Sequence, residues 1–127
     1  MVFAAGLAIP MMVWQFYNGG QKLPFTLYNA VIFLLLAPIA EELIFRGILQ
    51  EILLRKLPKY RLILSTLIVS AAFAFVHISI RVLQGADYTT AALVFFPSVV
   101  LCLHYGKYRN LPAVISIHAI YNIAVFV

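Results

Sequence analysis

Six residues carry chemically capable groups inside otherwise apolar stretches: Glu41, Glu42, Arg46, His77, His118 and Asn122. At mid-membrane a charged side chain costs at least about 2.5 kcal/mol, so each needs a partner or a task. Glu42 and Arg46 lie four apart with the acid first, the favoured order for an ion pair within one helix. Glu41 is turned by about 100° from Glu42 on a helix of 3.6 residues per turn, so it cannot share that contact. A buried carboxylate without a cation is a candidate general base; the plainer reading is a protonated acid that only packs. His118 and Asn122 are also four apart, and together can aim two donors at one oxygen, as an oxyanion site requires. Their plainer reading is a hydrogen bond between helices. His77 closes the apolar run from Ala71, with Phe73 one turn before it; alone it reads as a core histidine. The set changes that balance. Polar groups in lipid turn toward the interior of a helix bundle, so three helices carrying these few groups are expected to bring them to one site.

Other hydrolytic chemistries are excluded by inspection. There is no HExxH, GxGD or GxSxG, and Asp87 is the only aspartate. Ser116 is two residues before His118 and so falls on another face of the helix. His104 borders Tyr105-Gly106 near an expected helix end and is left out of the site. The single cysteine, Cys102, rules out an intrachain disulfide and a cysteine metal cluster.

The elements that must position these groups are membrane helices. Of 127 residues, 65% are hydrophobic and 10% charged, with a mean hydropathy of +1.03. Soluble domains carry about 25% charged residues, so lipid must cover much of this surface. The net charge of +5 fits loops facing anionic lipid rather than nucleic acid, since no basic run exceeds Arg55-Lys56. The expected class is all-α, a polytopic transmembrane bundle of about five segments in one domain, 1–127. The first runs from Met1 to about Tyr17 and lacks the basic start and cleavage site of a signal peptide. The second, about Pro24 to Leu54, is too long for one simple span. Pro38 divides it, with a helix or a re-entrant turn up to Ala37 and a helix from Pro38 to Leu54. The third is Leu62 to about Leu83. The fourth is about Tyr88 to Tyr105, kinked at Pro97. The fifth runs from Pro112 to Val127. If the second segment crosses once, the loops Arg55–Arg61 and Lys107–Arg109 share a side, with six cations against Lys22 and Arg81, and that side is cytoplasmic.

Three motifs occur in order, each in an expected membrane helix. Glu41-Glu42-Leu43-Ile44-Phe45-Arg46 is EExxxR, Phe73 to His77 is FxxxH, and His118 to Asn122 is HxxxN. Each alone is weak; the ordered trio is specific. The sequence resembles the CPBP family of CAAX proteases and bacteriocin-processing enzymes, also called type II CAAX prenyl proteases or the Abi family. The resemblance covers about residues 38–125, and includes the stretch Tyr105 to Ala113 before the last histidine. It implies that Glu41 activates water, His77 helps to hold it, and His118 and Asn122 steady the oxyanion, with Glu42 and Arg46 in support. It also implies a multi-pass protein, expected in a bacterial cytoplasmic membrane, whose partners are lipid and a protein or peptide substrate, prenylated or a bacteriocin precursor. The family has been described both as metal-dependent and as metal-free. Zinc would take Glu41, His77 and His118 with a water, but no two of these stand at ligand spacing on one helix, and the metal-free version is the reading favoured. The chain is short for the family, so it is expected to be a small member or to lack preceding helices. Two other readings remain open: a non-catalytic scaffold or immunity protein of the same family, and a proton or ion pathway.

Overall fold

The structure is a computed structural model that describes residues 31–57, 59–83 and 88–126. The described residues are helical, with no strand among them. Helix α1 spans residues 31–56, α2 Arg61–Leu83, α3 the short Thr89–Ala92, α4 Phe95–Tyr108 and α5 Leu111–Phe126. The expected first segment, Met1–Tyr17, lies outside the described residues. Among those described, Arg61–Leu83 is the one helix long and apolar enough to cross a membrane by itself, and Leu111–Ile123 is a shorter apolar stretch.

Pro38 does not divide α1. The helix continues through it, with Leu36 and Leu43 both in the right-handed helical region, so among the described residues the segment before Pro38 is the helix of the two expected alternatives and not a re-entrant turn. The turns before it, Val31–Leu36, are wide, with i→i+5 hydrogen bonding. A proline lacks an N–H and crowds the carbonyl four residues back; a widened turn is one way to accommodate that locally. A second wide stretch, Leu43–Gln50, follows. The widening has a consequence for burial. Pro38, Glu42, Arg46, Gln50 and Leu54 are all buried, a strict period of four. An α-helix would rotate each member about 40° from the last and carry Leu54 roughly 160° away from Pro38. Mixing wide and normal turns holds the series on one face.

The kink expected at Pro97 falls three residues earlier, as a break between α3 and α4 at Leu93-Val94. Pro97 has no N–H to offer the Leu93 carbonyl, which instead accepts from Phe96 N at 3.2 Å, while Ser98 N donates to Val94 O at 3.1 Å. The last helix opens with a side-chain cap: Asn110 Oδ1 accepts from Ala113 N at 3.0 Å, and Pro112 occupies the first turn, where its missing N–H matters least.

The helices pack in a fixed register. Arg46 reaches Ser98 and Gln50 reaches Cys102, four residues on in both helices, so α1 and α4 run parallel. Glu42 meets His118 while Glu51 meets Arg109, nine residues back along the last stretch for nine forward in α1, so α5 is antiparallel to α1. The basic segments 55–61 and 107–109 therefore lie at one end of the bundle. Gly106 sits there against Leu62 and Gln50, where a Cβ would collide with the Leu62 side chain.

Candidate active site

The polar series on α1 supplies the site. Glu42 and Arg46 are fully buried and form the expected intrahelical pair, Arg46 Nη1 donating to Glu42 Oε1 at 2.8 Å. The same carboxylate oxygen accepts from His118 Nδ1 at 2.7 Å. Glu42 thus touches the last helix directly, a contact that local spacing did not disclose. Its other oxygen, Oε2, has no hydrogen-bond partner. The second nitrogen of His118 faces Glu41: Nε2 lies 3.6 Å from Glu41 Oε2. The imidazole is nearly buried, while the Glu41 side chain is 30% exposed. One ring is therefore held between two adjacent carboxylates, one buried and fixed, the other more open.

This geometry limits what His118 can donate. With Nδ1–H bonded to Glu42, a neutral ring leaves Nε2 as an acceptor, and only the imidazolium donates from both nitrogens. His77 is constrained in the same way. Its Nδ1 lies 2.9 Å from the Phe73 carbonyl, which can only accept, so in the neutral ring Nε2 is left to accept.

Phe73 ties these groups together. Its ring packs on His77 with centroids 4.4 Å apart, on Phe45 at 4.9 Å and on His118 at 6.1 Å. The Arg46 guanidinium lies 4.9 Å from the same ring centroid, a cation–π contact in a desolvated setting.

His77, His118 and Asn122 open onto one cavity of about 60 Å³, with Ser98 and Tyr121 as its other polar walls and Phe73, Val94, Pro97 and Leu101 as its apolar ones. That is room for water. Glu41 is not part of this wall; it meets the site through His118. Three contributors were not foreseen. Ser98 is buried and accepts from Arg46 Nη2 at 2.7 Å; Gln50 is buried and donates to the Cys102 carbonyl at 2.7 Å; Tyr121 lines the cavity. The period of four from Glu42 to Gln50 was the available signal for Gln50, and the small polar residue after Pro97 was the signal for Ser98.

Among the described residues no three His, Cys, Asp or Glu side chains converge to hold a metal ion. As arranged, Glu41, His77 and His118 do not fit zinc, which needs three such ligands at about 2 Å.

The described residues are helical and apolar, with acids and imidazoles gathered in their interior, which defines a class, the helical protein with a buried polar site. Residues 23–124 match the model of the family described as type II CAAX prenyl endopeptidase Rce1-like, and the chain belongs to that family. It is a membrane-integral peptidase family that acts on protein or peptide substrates. Comparison with curated proteins and with solved structures gives no match.

Proposed function

We propose that this chain is a multi-pass intramembrane endopeptidase that cleaves a membrane-associated protein or peptide with a Glu41-activated water and no metal. The observation that carries the reading is the placing of His118 between Glu41 and Glu42. His77 Nε2 accepts one water O–H. Glu41 takes the other proton as the oxygen attacks the peptide carbonyl carbon. The carbonyl oxygen becomes an oxyanion and meets Nε2–H of a doubly protonated His118 and the Asn122 carboxamide. Glu41 then returns its proton to the departing amine nitrogen as the C–N bond breaks. With His118 as imidazolium, Glu41, Glu42, Arg46 and His118 sum to zero charge, which suits a poorly solvated site. Lipid and the apolar wall lower the local dielectric and so strengthen each contact to the developing charge. Prenylated protein tails or bacteriocin precursors are the substrates proposed.

The test is Glu41→Gln in the full chain, reconstituted with a substrate that the parent cleaves. Loss of a general base lowers turnover by about 10²–10⁴-fold, with insertion and thermal stability unchanged. Cleavage at the parent's rate would end the Glu41-activated mechanism, and a parent that cleaves no substrate would leave the scaffold role. A chelator should leave the parent's rate within about twofold; loss of activity restored by zinc would overturn the metal-free mechanism.

A further inference from the structure

Beyond the seven residues of the motifs, we infer that Ser98 is a positioning residue for the His118 imidazole, acting through Arg46 and Glu42. This rests on the peptidase reading for its kinetic consequences, but not for its structural ones. The links are continuous. Ser98 Oγ accepts from Arg46 Nη2 at 2.7 Å, Arg46 Nη1 donates to Glu42 Oε1 at 2.8 Å, and the same oxygen accepts from His118 Nδ1 at 2.7 Å. Ser98, Arg46 and Glu42 are each at most 1% exposed, so bulk solvent does not reach the contacts between them.

The two Arg46 terminal nitrogens have separate tasks. Nη1 holds Glu42, and Nη2 holds Ser98 by its hydroxyl and, at 3.3 Å, by its backbone carbonyl. A guanidinium is planar and rigid, so fixing Nη2 fixes the direction of Nη1. Without the Ser98 hydroxyl, Nη2 keeps only the longer carbonyl contact, and the guanidinium is held otherwise by Glu42 and the Phe73 ring beneath it. It can then rotate, and the Glu42 oxygen that orients His118 moves with it. The protein sets Ser98 at the required height by an independent device: Pro97 forces the break at Leu93-Val94 and starts α4 there.

The experiment compares Ser98→Ala, Ser98→Cys and Ser98→Thr in the full chain, with Glu41→Gln alongside. Threonine keeps the hydroxyl; cysteine keeps nearly the volume but is a poor acceptor, and reads the hydrogen bond even where alanine misfolds. Two measurements are made. In proton NMR with nitrogen-labelled histidine, the His118 Nδ1–H resonance should be downfield and slow to exchange in the parent and in Ser98→Thr. It should broaden or exchange away in Ser98→Ala and Ser98→Cys. In kinetics the alanine and cysteine variants should lose about 10–100-fold in kcat, the scale on which supporting hydrogen bonds act, with KM within about twofold; threonine should recover most of the loss. An unchanged resonance in both the alanine and cysteine variants overturns the inference, and so does a loss that threonine shares. If Glu41→Gln turns over like the parent, the Glu41-activated mechanism fails on its own, and the NMR comparison still decides what Ser98 does.

Discussion

Of the polar contacts that tie α1 to the last stretch of the chain, two differ in almost everything except chemistry. Glu42 meets His118 in the interior, with side chains 0% and 8% exposed. Nine residues along, or about 13.5 Å of helix, Glu51 meets Arg109 at the end of the bundle, where the exposures are 22% and 42%. Around Glu51 gather Arg55 at 2.8 Å and Tyr105 at 3.3 Å, so that carboxylate has partners to spare and a polar medium beyond them. Glu42 has Arg46 and His118 on a single oxygen and no other recourse. The lesson is that the same residue types are interchangeable at the rim and mutually dependent inside. Exposed ion pairs contribute about 0–1 kcal/mol. A buried pair adds little over an apolar replacement, but breaking it by removing one partner costs about 3–5 kcal/mol, because a charge is left alone.

The largest expected effect tests that contrast directly. Arg46→Met should lower stability in mild detergent by about 3–5 kcal/mol, since the buried Glu42 loses the guanidinium and keeps His118 alone. The double variant Glu42→Gln/Arg46→Met should recover most of that loss while remaining inactive, since it no longer fixes His118. Thermal unfolding of both, beside the parent, reads the difference. If the single variant loses no more than Glu51→Gln does, the interior and the rim do not differ in the way described.

A smaller effect belongs to Gln50, which is as buried as Glu42 but uncharged. Its Nε2 serves the Cys102 carbonyl and its Oε1 is left without a partner. Gln50→Leu removes one hydrogen bond, worth about 1 kcal/mol, together with one buried unsatisfied oxygen of similar cost. Stability should therefore stay within about 1 kcal/mol of the parent. A loss several times larger would place Gln50 with the charged pair and not between pair and rim.

What could be read in the sequence follows the same division between local and long-range. The Glu42–Arg46 pair was legible because both partners lie on one helix at the spacing that pairs them. The helical class was legible from hydropathy, and the start of the last helix from Pro112. Ser98 and Gln50 were not, since their partners are 52 residues away and only the parallel packing of α1 on α4 unites them. The division expected at Pro38 and the kink expected at Pro97 show the same proline resolved in two ways. Widened turns absorb the first, and a break placed at the carbonyl that lost its donor absorbs the second. No spacing rule built on 3.6 residues per turn distinguishes these outcomes, or keeps a stripe of period four on one face.

The smallest effect lies at Arg109, and it separates ion pair from backbone. Arg109 ends α4 in the left-handed region, with φ of 52°, its N–H bonded to the Tyr105 carbonyl at 2.8 Å. Arg109→Ala removes the contact to Glu51 but keeps a Cβ in a conformation that disfavours one, and should cost about 0–1 kcal/mol. Arg109→Gly removes the same contact and also relieves the backbone, which is worth about 1 kcal/mol or more at such a position. The glycine variant should therefore be the more stable of the two and close to the parent. Raising salt to about 1 M shortens the screening length to roughly 3 Å, which should narrow the gap between parent and alanine while leaving that between alanine and glycine unchanged. Unfolding midpoints at low and high salt measure both gaps. The Arg46→Met loss should not move with salt, because its charges are out of reach of the ions, and a salt-sensitive loss there would mean that the interior pair is open to solvent like the one at the rim.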